Sequence, residues 1–300
     1  MIKQEPESIE LFTLNTRVQE VIDDPMFAGF GNLLFPIDLN IDPNLSLDDI
    51  SHSSTFIWYS NIKTNKTVEI LNSLKKRAKQ NETIFYSIYT QDEIRKDSSK
   101  ADTGLFFFKG NPSEKFAIIN AGGGFMYVAA LHDSFPHALE LSEMGINAFA
   151  LIYRPDHAYE DLAQAIAFVY DHADELEVQQ NGYSLWGGSA GARMAASLGR
   201  SDAMGRYGRK DIGPASAVIT QYTGYSSVSN KDAPTYACVG TNDGIAYYKD
   251  MESRLNALSK LGIPTEFHAF QGLSHGFGLG TDTVAQDWIK DAVAFWMKQP

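Results

Sequence analysis

The sequence holds a single cysteine, Cys238, in 300 residues. An intrachain disulfide framework and any multi-cysteine metal centre are thereby excluded. Apolar runs such as Asn147–Tyr153 are far too short to span a bilayer. Positive charge is scarce as well. Twenty-five Lys and Arg face thirty-seven Asp and Glu, a formal net charge of −12, so the broad basic footprint of a nucleic-acid or anionic-membrane binder is missing. Residues 1–14 carry Glu5, Glu7 and Glu10 and no basic-then-apolar pattern, so they are not read as a signal peptide. The expectation is an acidic, soluble, cytoplasmic protein, with a core built from a 44% hydrophobic composition.

The acidity is concentrated at the start. Ten acidic residues against Lys3 and Arg17 give residues 1–54 a charge of −8, leaving −4 for the rest. Yet Met26, Phe27, Phe30, Leu33, Leu34 and Phe35 make this stretch too apolar for a solvated tail. An extension lying on the main body is expected; the competing reading is a disordered acidic arm. Residues 67–80 carry Thr67, Ile70, Leu71, Leu74 and Ala78 at helical spacing, with lysines on the other face. Residues 83–89 and 104–109 read as two short, antiparallel strands.

From residue 115 strands and helices alternate. Strands are predicted at 116–120, 147–153, 183–186, 216–221, 236–240 and 265–270. Helices are predicted at 132–144, 161–173, 189–199, 247–261 and 284–296. Such alternation implies a mainly parallel sheet flanked by helices, an α/β fold. Reactive groups are then sought at the carboxyl ends of strands. The division expected is an N-terminal extension over residues 1–82 and an α/β domain over 83–300.

One such strand end carries Gly187-Gly188-Ser189-Ala190-Gly191, a G-x-S-x-G sequence between a strand and a helix. Glycines at 187 and 191 suit a tight turn that lifts a serine hydroxyl above the sheet, at a helix N-terminus. A serine nucleophile needs a base and an orienting acid. His275 follows the strand ending at Phe270, and Asp243 follows the strand ending at Gly240. The order Ser, Asp, His is the one expected on this kind of sheet. His132, His137 and His172 fall within predicted helices, and His268 inside a strand. Strand 116–120 runs into Ala121-Gly122-Gly123-Gly124-Phe125, where backbone N–H groups of Gly123 and Gly124 would join that of Ala190 in an oxyanion hole. A dinucleotide loop would need glycine where Tyr127 stands, and no Gly-Lys-Ser/Thr phosphate loop occurs. No spacing of His, Asp or Glu suggests a metal; His132 and His137, five apart, share a helix face poorly.

Taken together these stretches resemble the α/β-hydrolase superfamily, and within it the bacterial acetyl-esterase and hormone-sensitive-lipase-like carboxylesterases. The resemblance covers residues 115–300. It rests on 121–125 (similar to the family's H-G-G-G-F loop), Tyr153-Arg154-Pro155, 187–191, 240–243, and 262–268 leading to His275-Gly276-Phe277. It implies hydrolysis of short-acyl or acetylated-sugar esters without a cofactor, and a cap formed by the segment before the core. Ala121 stands where the family has histidine, a departure that bears on substrate preference. The expected partner is a small-molecule ester, with neither nucleic acid nor membrane. The acidic extension either closes the pocket or joins two copies in a homodimer. Phe125, Tyr127 and Tyr222 are candidates for a compact substrate pocket, with ordinary core packing as the competing role. Arg154 is read as a structural ion-pair residue in preference to a carboxylate or phosphate binder. A serine peptidase or acyl-peptide hydrolase on the same fold, and a non-catalytic ligand-binding protein, remain alternatives.

Overall fold

A computed structural model describes residues 8–300; Lys3, Glu5 and Glu7 of the acidic extension lie outside the described residues. The core is an eight-stranded sheet of β1 (Phe85–Tyr86), β2 (Gly104–Phe108), β3 (Phe116–Asn120), β4 (Asn147–Ile152), β5 (Ser184–Gly188), β6 (Ala217–Gln221), β7 (Thr235–Gly240) and β8 (Thr265–Phe270), in the order β1-β2-β4-β3-β5-β6-β7-β8. β1 pairs antiparallel with β2, and β2 with β4; all pairs from β4 to β8 are parallel. Every residue of β2 to β7 is buried, as continuous apolar strands covered on both faces must be.

Among the described residues six helices of nine or more residues flank the sheet or frame its edge: α1 (Thr64–Lys79), α2 (Phe135–Glu143), α3 (Ala158–Asp171), α4 (Ala190–Leu198), α5 (Tyr248–Lys260) and α6 (Trp288–Met297). α1 buries Thr67, Ile70, Leu71 and Leu74, the face its periodicity marks. The predicted helix over 132–144 is interrupted. A single helical turn over Ala130–Asp133 precedes α2, and the break falls at Ser134 (φ −141°), whose hydroxyl donates to Ala130 O just before Pro136. The last helix begins four residues later than predicted, because Asp287 takes a left-handed conformation (φ 67°).

Residues 8–63 run over this body as short helices and turns and are not a solvated arm. Phe27, Leu33, Leu34 and Phe35 are buried. Phe30 stacks on Phe85 at 4.9 Å and meets Phe106 edge-on at 5.8 Å, contacts favourable beyond the area they cover. Lys75 of α1 pairs with Asp24 at 2.7 Å, and Asn72 exchanges two hydrogen bonds with the backbone of Phe12. Among the described residues no helix is long and apolar enough to cross a membrane.

Candidate active site

The loops that follow β3, β5, β7 and β8 converge at the carboxyl edge of the sheet. Between β5 and α4 the chain turns so tightly that Ser189 is forced to φ 52°, ψ −116°, a region costly for a residue with a side chain. The flanking glycines make the turn possible. A Cβ on residue 187 would lie 2.2 Å from Gly191 C, and one on residue 191 would lie 2.0 Å from Asn120 O. Ser189 N–H donates to Gln221 O at 2.9 Å, which ties the turn to the end of β6.

His275 Nε2 stands 3.2 Å from Ser189 Oγ, and its Nδ1 stands 2.7 Å from Asp243 Oδ2. The other carboxylate oxygen of Asp243 accepts N–H groups from Ile245 (2.8 Å) and Ala246 (2.7 Å). With three donors the acid is fixed and compensated although it is buried. Ser189 itself is partly exposed, so the hydroxyl is reachable from outside. The sequence-predicted Ser, His and Asp are thus brought into one hydrogen-bonded line.

After β3, Gly123 (φ 136°), Gly124 (φ 65°) and Phe125 (φ 56°) turn the backbone through the left-handed region. Gly122 N–H donates to Asp133 Oδ2 at 2.7 Å. Among the described residues none accepts from the N–H of Gly123 or Gly124. Ala190 is the first residue of α4, so its N–H has no acceptor within the helix. These are the three donors singled out from the sequence for an oxyanion.

The aromatic candidates separate. Phe125 is half-buried, its ring 6.0 Å from that of Tyr159. Tyr127 and Tyr222 are fully buried. Tyr127 donates to Ile57 O at 2.6 Å and stacks beside Trp58. Tyr222 donates to Asp133 Oδ1 and backs His275 with ring centroids 4.9 Å apart. Both phenols thus bond within the protein, the packing role that competed with substrate contact.

Two further features were not drawn from the sequence. Asp133, 1% exposed, sits behind the elbow and accepts from Gly122 N–H, Tyr59 O–H (3.0 Å) and Tyr222 O–H. Burial pushes its carboxyl up, against the pull of nearby His137 and these donors. Burial, and then Asp133, raise the phenols of Tyr59 and Tyr222, so both remain donors. Residues 57–60 are the second feature, crossing from the oxyanion loop to the histidine loop. Arg154 is a structural residue: its guanidinium and backbone N–H hold Asp161 at 2.7–3.1 Å, and the guanidinium also reaches Asp97 and Ser99. Among the described residues no three His, Cys, Asp or Glu side chains are grouped to hold a metal ion.

The BD-FAE family model matches residues 152–223, the stretch containing the elbow. An acetylxylan esterase of Xylanibacter ruminicola is 23% identical over 246 residues, 67% of this chain and 49% of that protein; the chain therefore spans about half the length of this curated relative. Among solved structures, apo Thermogutta terrifontis esterase 2 superposes with a TM-score of 0.60 at 20% identity, covering 73% of this chain and 96% of the other. An acetyl ester-xyloside bifunctional hydrolase from Caldicellulosiruptor lactoaceticus gives 0.61 at 21%, covering 71% and 95%. The chain is similar to these bacterial esterases and has their α/β-hydrolase fold.

Proposed function

We propose that the protein is a serine carboxylic-ester hydrolase that acts on small short-acyl esters, acetylated sugars among them. The observation that carries the reading is the line Ser189–His275–Asp243 at 3.2 and 2.7 Å, with the serine held in a strained turn beside unpartnered backbone donors. Its similarity to an acetylxylan esterase and to bacterial esterases supports the substrate class.

The chemistry follows from these groups. Ser189 Oγ attacks the ester carbonyl carbon while His275 Nε2 takes its proton, and Asp243 steadies the imidazolium through Nδ1. The carbonyl oxygen becomes an oxyanion facing the N–H groups of Gly123, Gly124 and Ala190. Collapse expels the alcohol, which receives the proton from His275 and leaves an acyl-serine. Water then attacks the acyl carbon and gives a proton to His275. Collapse of the second intermediate releases the carboxylic acid and restores Ser189.

A preference for short acyl groups rests on crowding. Tyr59 Oη, Gly188 O and Ser189 Cβ all lie within 3.0 Å of where a Cβ on Gly122 would be, so there is little room beside the nucleophile. The test is hydrolysis of 4-nitrophenyl acetate, butyrate and octanoate. Turnover is expected to fall with chain length, and Ser189→Ala to lower kcat by roughly 10⁶-fold. Full activity in that variant would end the serine mechanism. Faster turnover of octanoate would end the short-acyl preference, and cleavage of a peptide 4-nitroanilide in place of esters would move the assignment to a peptidase.

A further inference from the structure

Residues 57–60 belong to the N-terminal segment, far in sequence from the loops that carry the triad and the oxyanion donors, yet they bridge those loops. Trp58, in a left-handed conformation (φ 74°), lies against Tyr127 with ring centroids 6.0 Å apart. It also sits at the face of Gly124, where a Cβ would come 3.0 Å from its ring. Tyr59 O–H donates to Asp133 Oδ2, the same oxygen that fixes Gly122 N–H. Ser60 binds the histidine loop twice: its Oγ–H donates to His275 O at 2.8 Å, and its N–H donates to Gly276 O at 3.1 Å. Gly276 packs so closely beneath the crossing that a Cβ there would lie 2.5 Å from Trp58 O.

These bonds close a circuit. From Asp133 it passes through Tyr59 to Ser60, and from Ser60 to His275 and Gly276. The chain continues to Gly278, whose N–H donates to Tyr222 Oη at 3.3 Å. Tyr222 then returns to Asp133. The oxyanion loop hangs on this circuit at Gly122 and the general base at His275. Without Tyr59 and Ser60 it is open on one side.

We propose that Tyr59 and Ser60 are positioning residues, which hold the oxyanion loop and the histidine loop in the one relative placement that serves the reaction. The inference rests on the esterase reading above. It assigns the N-terminal segment a part in transition-state geometry beyond covering the body. A displacement of about 1 Å at reacting groups costs up to about 100-fold, so the loss of one tie is expected to cost about tenfold.

The test uses the full chain, with 4-nitrophenyl acetate as substrate. Tyr59→Phe and Ser60→Ala should each lower kcat about tenfold, with KM within about twofold and the unfolding midpoint within a few degrees. The rate of fluorophosphonate labelling of Ser189 should fall by the same factor, since that attack uses the same donors. Ser60→Thr, which keeps the hydroxyl, should restore most of the rate. Tyr59→Phe combined with Asp133→Asn should be little slower than Asp133→Asn alone, because both cut one circuit. The proposal is overturned if kcat stays within twofold of wild type in both single variants. It is equally overturned if the losses track the unfolding midpoint and add to that of Asp133→Asn. Should wild type hydrolyse no nitrophenyl ester, that failure falls on the esterase reading; the labelling rates of Tyr59→Phe and Ser60→Ala still decide the positioning role.

Discussion

Two buried carboxylates flank Ser189, and they are compensated differently. Asp243, at the carboxyl end of β7, spends one oxygen on the His275 ring and the other on two backbone N–H groups. Asp133, in the turn before α2, is held by two phenols and one backbone N–H, and touches no group that reacts. The first arrangement suits an ion that must stabilise a passing positive charge. The second suits a fixed anchor, since its partners come from three separate regions and their bonds define where those regions sit. Burial of an acid is common to both; what distinguishes them is whether a proton carrier lies on the far side.

Replacing each carboxylate with its isosteric amide separates the two roles most widely. Asp243→Asn should lower kcat by about 10⁴-fold, because the amide favours the wrong imidazole tautomer and cannot steady the imidazolium. Asp133→Asn, acting only through geometry, should cost one to two orders of magnitude. Steady-state kinetics on 4-nitrophenyl acetate measures both. Equal losses would erase the distinction drawn here.

A third buried carboxylate serves neither role. Asp161 is fully buried against Arg154, which is itself 4% exposed. The Arg154→Met change would strand that charge, leaving it only Tyr89 O–H and the backbone N–H of residue 154. Breaking such a pair costs about 3–5 kcal/mol. Urea unfolding should show a loss of that size, while kcat of the folded fraction stays within about twofold. If stability held and turnover fell, Arg154 would instead be a substrate-binding residue, the role set aside in reading the sequence.

The contrast between Asp243 and Asp133 also marks what was legible from residues alone. The elbow at Ser189 follows from local constraints, two glycines between a strand and a small-residue helix. Asp243 and His275 follow from one further rule, that loops at strand carboxyl ends carry chemistry. The amphipathic face of α1 is equally local. Asp133 has no such signature. It stands in a stretch with helical pattern, and its side-chain partners Tyr59 and Tyr222 are 74 and 89 positions away. For Tyr127 and Tyr222 proximity to the nucleophile is visible in sequence, but the direction of a ring is not. The crossing at residues 57–60 was hidden because its bonds are largely to backbone carbonyls, which any sequence supplies. The break at Ser134 was hidden because the hydrophobic period continues through it.

The smallest expected effect concerns the residue beside Asp133. His132 is 8% exposed and packs edge-on against Phe56 at 4.4 Å, and its Nε2 is buried without a hydrogen-bond partner. Burial pushes its pKa down to about 3, and burial lowers that of His137 as well. Above the ordinary histidine value of about 6.5, neither the folded nor the unfolded chain protonates these rings, so they add no pH dependence. Below it the unfolded chain takes up protons that the folded chain refuses, and stability falls as the pH drops. For His132 alone the slope is at most about 1.4 kcal/mol per pH unit, ending near pH 3. Urea unfolding at pH 8.5, 7.5 and 5.5 should give a flat upper interval and a declining lower one. The decline should be shallower in His132→Phe, which keeps an aromatic ring against Phe56 and has nothing to titrate. An unchanged decline in that variant would place the acid sensitivity elsewhere, with His137 and the carboxylates as its source.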